Sequence, residues 1–183
     1  MALQLIGVGA SAEDGTGDGA RTAGGKINAN FTEIYAERWI YVKLASDFPT
    51  SSGTAVDVTG LFFTPLANTQ YEVQGKFFLR TATTTVGPRP GLAWPTGLTD
   101  GIAVIRTPSS ATAFTSVLGN SNAALLAAVG GLPSTTLSYP GILEASVLAG
   151  ATPSGNFRIQ LASETAGTNV TMKAGSFIRY RVI

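Results

Sequence analysis

The chain has 183 residues, with 12 Lys and Arg against 11 Asp and Glu and a formal net charge of +1. Charged residues make up 13% of it, about half the roughly 25% of an average soluble protein, so part of its surface is expected to lie against other subunits rather than water. Cysteine and histidine are absent. That excludes disulfides, thiol nucleophiles, most zinc sites and any Ser-His-Asp triad, and the near-zero net charge offers nucleic acid no bulk attraction.

The length suits one domain with a core plus an appendage. Residues 1–19 read as extended, because glycines at 7, 9, 15, 17 and 19 break any helix. MALQLIGVGASAEDG lacks the basic start of a secretory signal. No run in the chain approaches the roughly 18 apolar residues of a membrane span.

From Ala20 the pattern turns amphipathic. Ala23, Ile27, Phe31, Ile34 and Tyr35 recur at steps of three and four, one face of a helix. Gly24 and Gly25 weaken its first turns by about 1 kcal/mol each, so the spacing predicts a short helix from Lys26 to Arg38, with Asp18 upstream as a capping residue. Such a helix hardly stands alone in water and needs a surface to lie on.

Beyond Trp39 the periodicity changes to short alternating or β-branched runs. These are WIYVKL (39–44), VDVTGLFF (56–63), YEVQGKFFLR (71–80), IAVIR (102–106), TAFTSVL (112–118), GILEASVLA (141–149), NFRIQLAS (156–163), VTMKA (170–174) and SFIRYRVI (176–183). Turn material separates them, namely PTSSG, ANTQ, GPRPG, AGATPSG and ETAGTN. In SFIRYRVI, Phe177, Arg179 and Arg181 share one face and Ile178, Tyr180 and Val182 the other. In NFRIQLAS, Phe157, Ile159 and Leu161 oppose Arg158 and Gln160. Many short strands and little helix predict a mainly β chain: an antiparallel β-sandwich of the jelly-roll kind over 39–183, preceded by an arm with one short helix over 1–38. The apolar segment NAALLAAVGGLP (122–133) reads either as one or two buried helical turns or, in preference, as an apolar loop pressed against a neighbouring subunit.

The stretch DGTGDGARTAGGKINANFTEIY (14–35) superficially suggests chemistry. A phosphate loop requires G-x-x-x-x-G-K-[ST]; here Ile27 follows Gly25-Lys26, and Ala20 stands where the first glycine belongs. LQLIGVGASA has the spacing of a dinucleotide fingerprint, but DGTGDG follows where a helix must begin. Glu13, Asp14 and Asp18 offer oxygen ligands without the alternating order of a calcium loop. Glu72, Glu144 and Glu164 are carboxylates in or beside strands, with no spacing that pairs two of them for glycoside hydrolysis. No catalytic residue, cofactor or metal is therefore expected. Trp94, in the proline-flanked GPRPGLAWPTG, is a candidate sugar platform if exposed and a plug for the sandwich if not.

The same stretch resembles a segment common near the N-termini of tailed-bacteriophage virion proteins, the tail fibre and head fibre proteins. That pattern has an Asp-Gly-Thr-Gly-Asp core, an Arg, then Lys-Ile-Asn-x-Asn-Phe-x-Glu-Leu-Tyr. Its positions here are Asp14 to Asp18, Arg21, Lys26, Ile27, Asn28, Asn30, Phe31, Glu33, Ile34 and Tyr35. The departures are Gly19 and Ala20, where a proline and a larger apolar residue are frequent, and Ile34 for leucine. SETAGTNVTMKAGSFIRYRVI looks like the closing strands of the small sandwich that follows this segment in some phage proteins.

The resemblance implies a structural protein on the virion exterior, assembled in the host cytoplasm and forming a homotrimer. Its arm would serve virion attachment or trimerisation. Ile27, Phe31, Ile34 and Tyr35 would anchor the arm, each burying about 1.5–3 kcal/mol. Asn28 and Asn30 would satisfy backbone groups in the docking site, and Arg21 and Lys26 would pair with acids of other virion proteins on tail, baseplate or capsid. The rival readings are a head fibre or capsid decoration protein, a receptor-binding protein gripping a host surface glycan through Trp94, and a polysaccharide depolymerase.

Overall fold

The computed structural model describes residues 5–8, 15–36, 38–110, 113–120, 125–126 and 131–183. The chain forms two compact units, Met1–Arg38 and Trp39–Ile183.

In the first unit one helix, α1 (Ala20–Ala36), carries the amphipathic stretch. It starts six residues earlier than the predicted Lys26 start, and runs through Gly24 and Gly25. A Cβ on either glycine would meet nothing within 4 Å, so packing does not require them. Their cost of about 1 kcal/mol each is spread over a helix long enough to propagate. The Gly19 carbonyl accepts the Ala23 amide at 2.9 Å and opens the first turn. Gly19, rather than Asp18, therefore supplies the first helical carbonyl.

The second unit is all strand among the described residues. In chain order these are β1 (Ile40–Lys43), β2 (Phe48–Thr50), β3 (Val56–Phe63), β4 (Gln70–Thr81), β5 (Pro88–Ala93), β6 (Thr96–Pro108), β7 (Phe114–Asn120), β8 (Leu125–Leu126), β9 (Tyr139–Ser154), β10 (Phe157–Ser163), β11 (Val170–Met172) and β12 (Phe177–Val182). The larger sheet has the order β1-β12-β4-β9-β6-β7, with β11 bridging β4 to β2; the smaller has the order β3-β10-β5-β8. Every pairing is antiparallel.

The pairs nest. β3 lies beside β10, β4 beside β9, β5 beside β8 and β6 beside β7, and successive pairs alternate between sheets. This is one long hairpin rolled up, the jelly-roll topology. β12 and β1 extend the larger sheet past β4.

The inward residues follow from strand alternation. Leu61, Leu92, Phe157, Ile159 and Leu161 on the smaller sheet meet Val73, Phe77, Leu79, Ile105, Leu143, Val147 and Ile178 on the larger, all fully buried. Phe63 stacks on Tyr180 at 4.2 Å and leans on Phe157 at 5.1 Å. The predicted inward faces of β10 and of Ile178 in β12 are as expected from their period. Phe77 sets a local constraint: its partner across the ladder is Gly141, and two residues before it is Gly75. A Cβ on Gly75 would sit 3.0 Å from the Phe77 ring and 3.1 Å from Leu143, and one on Gly141 3.2 Å from the same ring. The two glycines make the room that the phenyl ring fills.

Three sequence expectations change. GPRPG is strand β5 rather than turn. Pro88 and Pro90 are two apart, so their missing donors fall on one side; among the described residues β5 pairs with β8 at Gly91 and Leu92. AGATPSG is the far end of β9, which reaches Ser154 and pairs back to Thr96 through two register shifts. Within 122–133, Leu125 and Leu126 form β8 against β5, and Leu132 is fully buried in the chain's own interior. Residues 122–124 and 127–130 of that predicted subunit-facing loop lie outside the described residues.

Gly75→Ala is expected to destabilise the sandwich by about 1–3 kcal/mol through overpacking against Phe77. The combined Gly75→Ala, Phe77→Leu variant should recover part of that loss. Urea unfolding of both variants checks it, and a Gly75→Ala midpoint equal to wild type would show that the ring has slack.

Candidate functional site

Two surfaces hold candidate interaction residues, one on each unit. On the first, Asp18 organises the arm. Its Oδ2 accepts the Gly7 amide at 2.8 Å and Lys26 Nζ at 2.7 Å, and its own amide donates to the Gly7 carbonyl at 2.8 Å. Lys26 Nζ also donates to the Leu5 carbonyl at 3.0 Å. Residues 5–8 are thereby strapped to the start of α1. The Lys26 ammonium, followed by the Gly7 amide, holds the Asp18 carboxyl below the usual carboxylate range. Lys26, the residue expected to pair with acids of other virion proteins, also pairs within the chain with Asp18.

The predicted anchors lie together on α1. Ile27, Phe31, Ile34 and Tyr35 are 41%, 52%, 52% and 61% exposed. Phe31 stacks on Tyr35 at 6.4 Å, and the Arg38 guanidinium lies over the Tyr35 ring at 5.4 Å. Arg21 and Asn28 are exposed and Asn30 is half-buried. The Asn28 carbonyl accepts the Thr32 hydroxyl at 2.8 Å, and both asparagines lie on α1.

On the second unit the outer face of the larger sheet carries a polar array. Cross-strand register places Tyr41, Arg179, Gln74, Glu144, Val104 and Leu118 in one row over six strands. The neighbouring row runs Arg181, Glu72, Ser146, Ile102 and Asn120. Arg179 donates to Gln74 Oε1 from Nε at 3.1 Å and Nη2 at 2.6 Å, and to Tyr41 Oη from Nη1 at 3.0 Å. Gln74 donates to Glu72 at 3.0 Å, and Arg181 Nε to Glu72 at 2.8 Å. The Arg179 and Arg181 guanidinium carbons lie 4.4 and 4.9 Å from the Trp39 ring centre. Arg106 pairs with Glu144 at 3.5 Å.

Two adjoining depressions open on this face. One, of about 300 Å³, is lined by Gln74, Lys76, Ile142, Glu144, Phe177 and Arg179. The other, of about 330 Å³, is lined by Glu72, Gln74, Ile102, Val104, Glu144 and Ser146. Gln74 and Glu144 belong to both.

Sequence reasoning placed Phe177, Arg179 and Arg181 on one face but missed the array, because its members come from β1, β12, β4, β9 and β6. The alternation in YEVQGK, with Glu72, Gln74 and Lys76 on one side, was the available signal. Glu72 and Glu144 do share this face, each beside an arginine; Glu164 instead accepts the Gly87 amide at 3.0 Å and shapes a turn.

Trp94 is placed otherwise than a sugar platform needs. It packs against the hydrophobic core, edge-on to Phe157 at 5.6 Å, with Nε1 buried. The apolar character of its neighbours, not its flanking prolines, decides its position. Among the described residues no group of three or more acidic side chains stands close enough to hold a metal, and no helix is long and apolar enough to cross a membrane.

No protein-family model and no curated protein matches the chain. Among solved structures, it is similar at 11% identity and a TM-score of 0.26 to the CBM22-1–GH10 modules of a Clostridium thermocellum endo-1,4-β-D-xylanase complexed with xylohexaose, covering 77% of this chain and 26% of that one. It is similar at 14% identity to two infectious bursal disease virus structures: the Gt strain (TM-score 0.24) and the Gx strain (0.23), covering 80% of this chain in each case and 38% and 37% of those chains. The chain thus spans about a quarter to two fifths of the length of these structures, and likeness at such scores carries no argument about function.

Asp18 supplies a pH prediction. Its folded pKa lies below the unfolded value, so its contribution is present above about pH 4 and is lost as pH falls through the folded value. The Gly7 amide and the Asp18 carboxyl, followed by NMR, should titrate together at a midpoint below 3.8, the ordinary value. Asp18→Asn should abolish that shared transition while leaving the sandwich resonances in place.

Proposed function

We propose that the chain is a non-catalytic structural protein of a tailed-phage virion, of the short tail-fibre type. It docks on the particle through its N-terminal arm and associates as a homotrimer through its sandwich. One observation carries the reading: Ile27, Phe31, Ile34 and Tyr35 form a continuous apolar face on α1 that the chain leaves 41–61% exposed. In the sandwich, by contrast, Phe77, Phe157, Ile105, Ile159 and Ile178 are fully buried. An amphipathic helix with an uncovered apolar stripe gains its stability by lying on another surface. Covering the part of each anchor still exposed contributes about 1 kcal/mol each. The sequence pattern of this same segment resembles the arms of virion fibre proteins.

A separate feature supports association of sandwiches. Phe114 and Leu118 are 56% and 68% exposed on the outer face of β7, and β7 is a sheet edge. An apolar strip beside an unpaired edge, on a chain so poor in charge, favours subunit contact. A head fibre or capsid decoration protein differs from this reading only in where the arm docks.

Phe31→Asp should leave the sandwich folded by circular dichroism yet remove the protein from purified particles. Mutant virions carrying wild-type amounts would refute the arm as anchor. Leu118→Asp should convert the trimer to monomer by light scattering at micromolar concentration. A trimer of unchanged stability would move the subunit contact away from β7.

A further inference from the structure

We propose that the outer face of the larger sheet is a binding site for an acidic oligosaccharide, seated over Gln74, Lys76, Glu144 and Arg179. The proposal rests on the reading of the chain as a virion protein docked through its arm, which leaves the sandwich free to bind.

Shape is the first argument. The two depressions share Gln74 and Glu144 and together cross β12, β4, β9 and β6. Strands stand about 4.8 Å apart, so the trough runs about 14 Å. That accommodates an extended chain of rings rather than a lone anion. Each depression, at about 300 Å³, is at the lower end of ligand-pocket sizes.

Chemistry is the second. A sugar ring presents hydroxyls that both donate and accept, and one apolar face of C–H groups. The floor offers planar partners of both kinds: the Gln74 amide, the Glu144 carboxylate and the Arg179 guanidinium. Ile142 and Phe177 stand among them as apolar patches. These polar groups are held before any ligand arrives. Arg179 makes three hydrogen bonds and lies on the Trp39 ring. Gln74 is fixed between Arg179 and Glu72. Ordering costs on binding are correspondingly small.

Charge selects the class of sugar. Glu72 pairs with Arg181 and Glu144 with Arg106. Arg179 bonds the neutral Gln74 and Tyr41, and among the described residues neither Arg179 nor Lys76 has a salt-bridge partner. Both line the first depression. Lys76 and Arg179, two cations without acid partners in the first depression, favour a carboxylated or sulfated ring there through charge-assisted hydrogen bonds, while the second depression, lined by Glu72 and Glu144, suits a ring's neutral hydroxyls.

The experiment is calorimetric titration of the full chain with tetragalacturonate, sialyllactose and a heparin-derived tetrasaccharide, beside neutral cellotetraose and sodium sulfate. At least one acidic sugar should bind with a dissociation constant at or below about 1 mM. Cellotetraose should bind at least about tenfold more weakly. Lys76→Gln, an exposed position, and Arg179→Gln should each weaken the acidic sugar at least about tenfold, at unchanged solution mass, with the melting temperature of Lys76→Gln unaltered. Saturable binding by none of the three acidic sugars, equal binding of cellotetraose, or displacement by equimolar sulfate would each overturn the proposal. So would a changed oligomeric mass in Lys76→Gln, which would make the face a subunit contact. Particle incorporation of Phe31→Asp reads the arm alone, so failure here and failure of the attachment reading are separately visible.

Discussion

The sandwich depends on the register of β4 against β9. Ten consecutive residues pair, from Gln70 with Leu148 to Leu79 with Tyr139. That register places Phe77 opposite Gly141 and so makes room for the ring at the centre of the core. It also sets Gln74 beside Glu144 and Glu72 beside Ser146 on the opposite face. A slip of one residue would turn Val73, Phe77 and Leu79 towards solvent and bury Glu72 and Lys76. The penalty for burying those charges, added to the lost apolar burial, is what holds one alignment against its neighbours. Core and outer face are therefore two consequences of one pairing.

The chain distributes its few charges unevenly. Glu72, Lys76, Arg106, Glu144, Arg179 and Arg181 gather on the outer face of a single sheet, whereas the β6–β7 end of that face presents Ile102, Phe114 and Leu118. One sheet face thus joins a hydrogen-bonded polar trough to an apolar margin. A polar network fixed by several hydrogen bonds resists distortion, and an apolar margin gains by being covered. The arm differs again. Its charged pair, Asp18 with Lys26, is used internally to strap residues 5–8 to α1, and its apolar face is what remains outward. The physical division is between a unit that buries a hydrophobic core in itself and leaves an apolar margin, and a unit whose apolar helix face stays largely exposed.

Much of this was legible in the sequence, and its limits have physical causes. VDVTGLFF, YEVQGKFFLR and SFIRYRVI became strands close to their expected bounds, because alternation over six or more residues is a local property. The positions of Ile27, Phe31, Ile34 and Tyr35 on one helix face were readable for the same reason. The helix begins at Ala20, before the point that the propensities of Gly24 and Gly25 predict, because the tether from Lys26 to Asp18 and Leu5 acts across turns. GPRPG becomes strand although proline and glycine mark turns in isolation, because a strand with two prolines of the same parity can keep a full ladder on its other side.

The sequence by itself determined the two-part organisation, the β class, the inward faces of the clearest strands and the amphipathic face of α1, since each depends on periodicity within one short stretch. Only the tertiary structure decided the nested jelly-roll pairing, the packing of Trp94 against Phe157, and the array that links Tyr41, Arg179, Gln74, Glu72 and Arg181. Tyr41 and Arg179 are 138 positions apart, and Gln74 and Arg179 are 105 apart. Contacts at such separation are fixed by which strands pair and in what register. That choice is made by the free energy of the whole core, not by any segment in it.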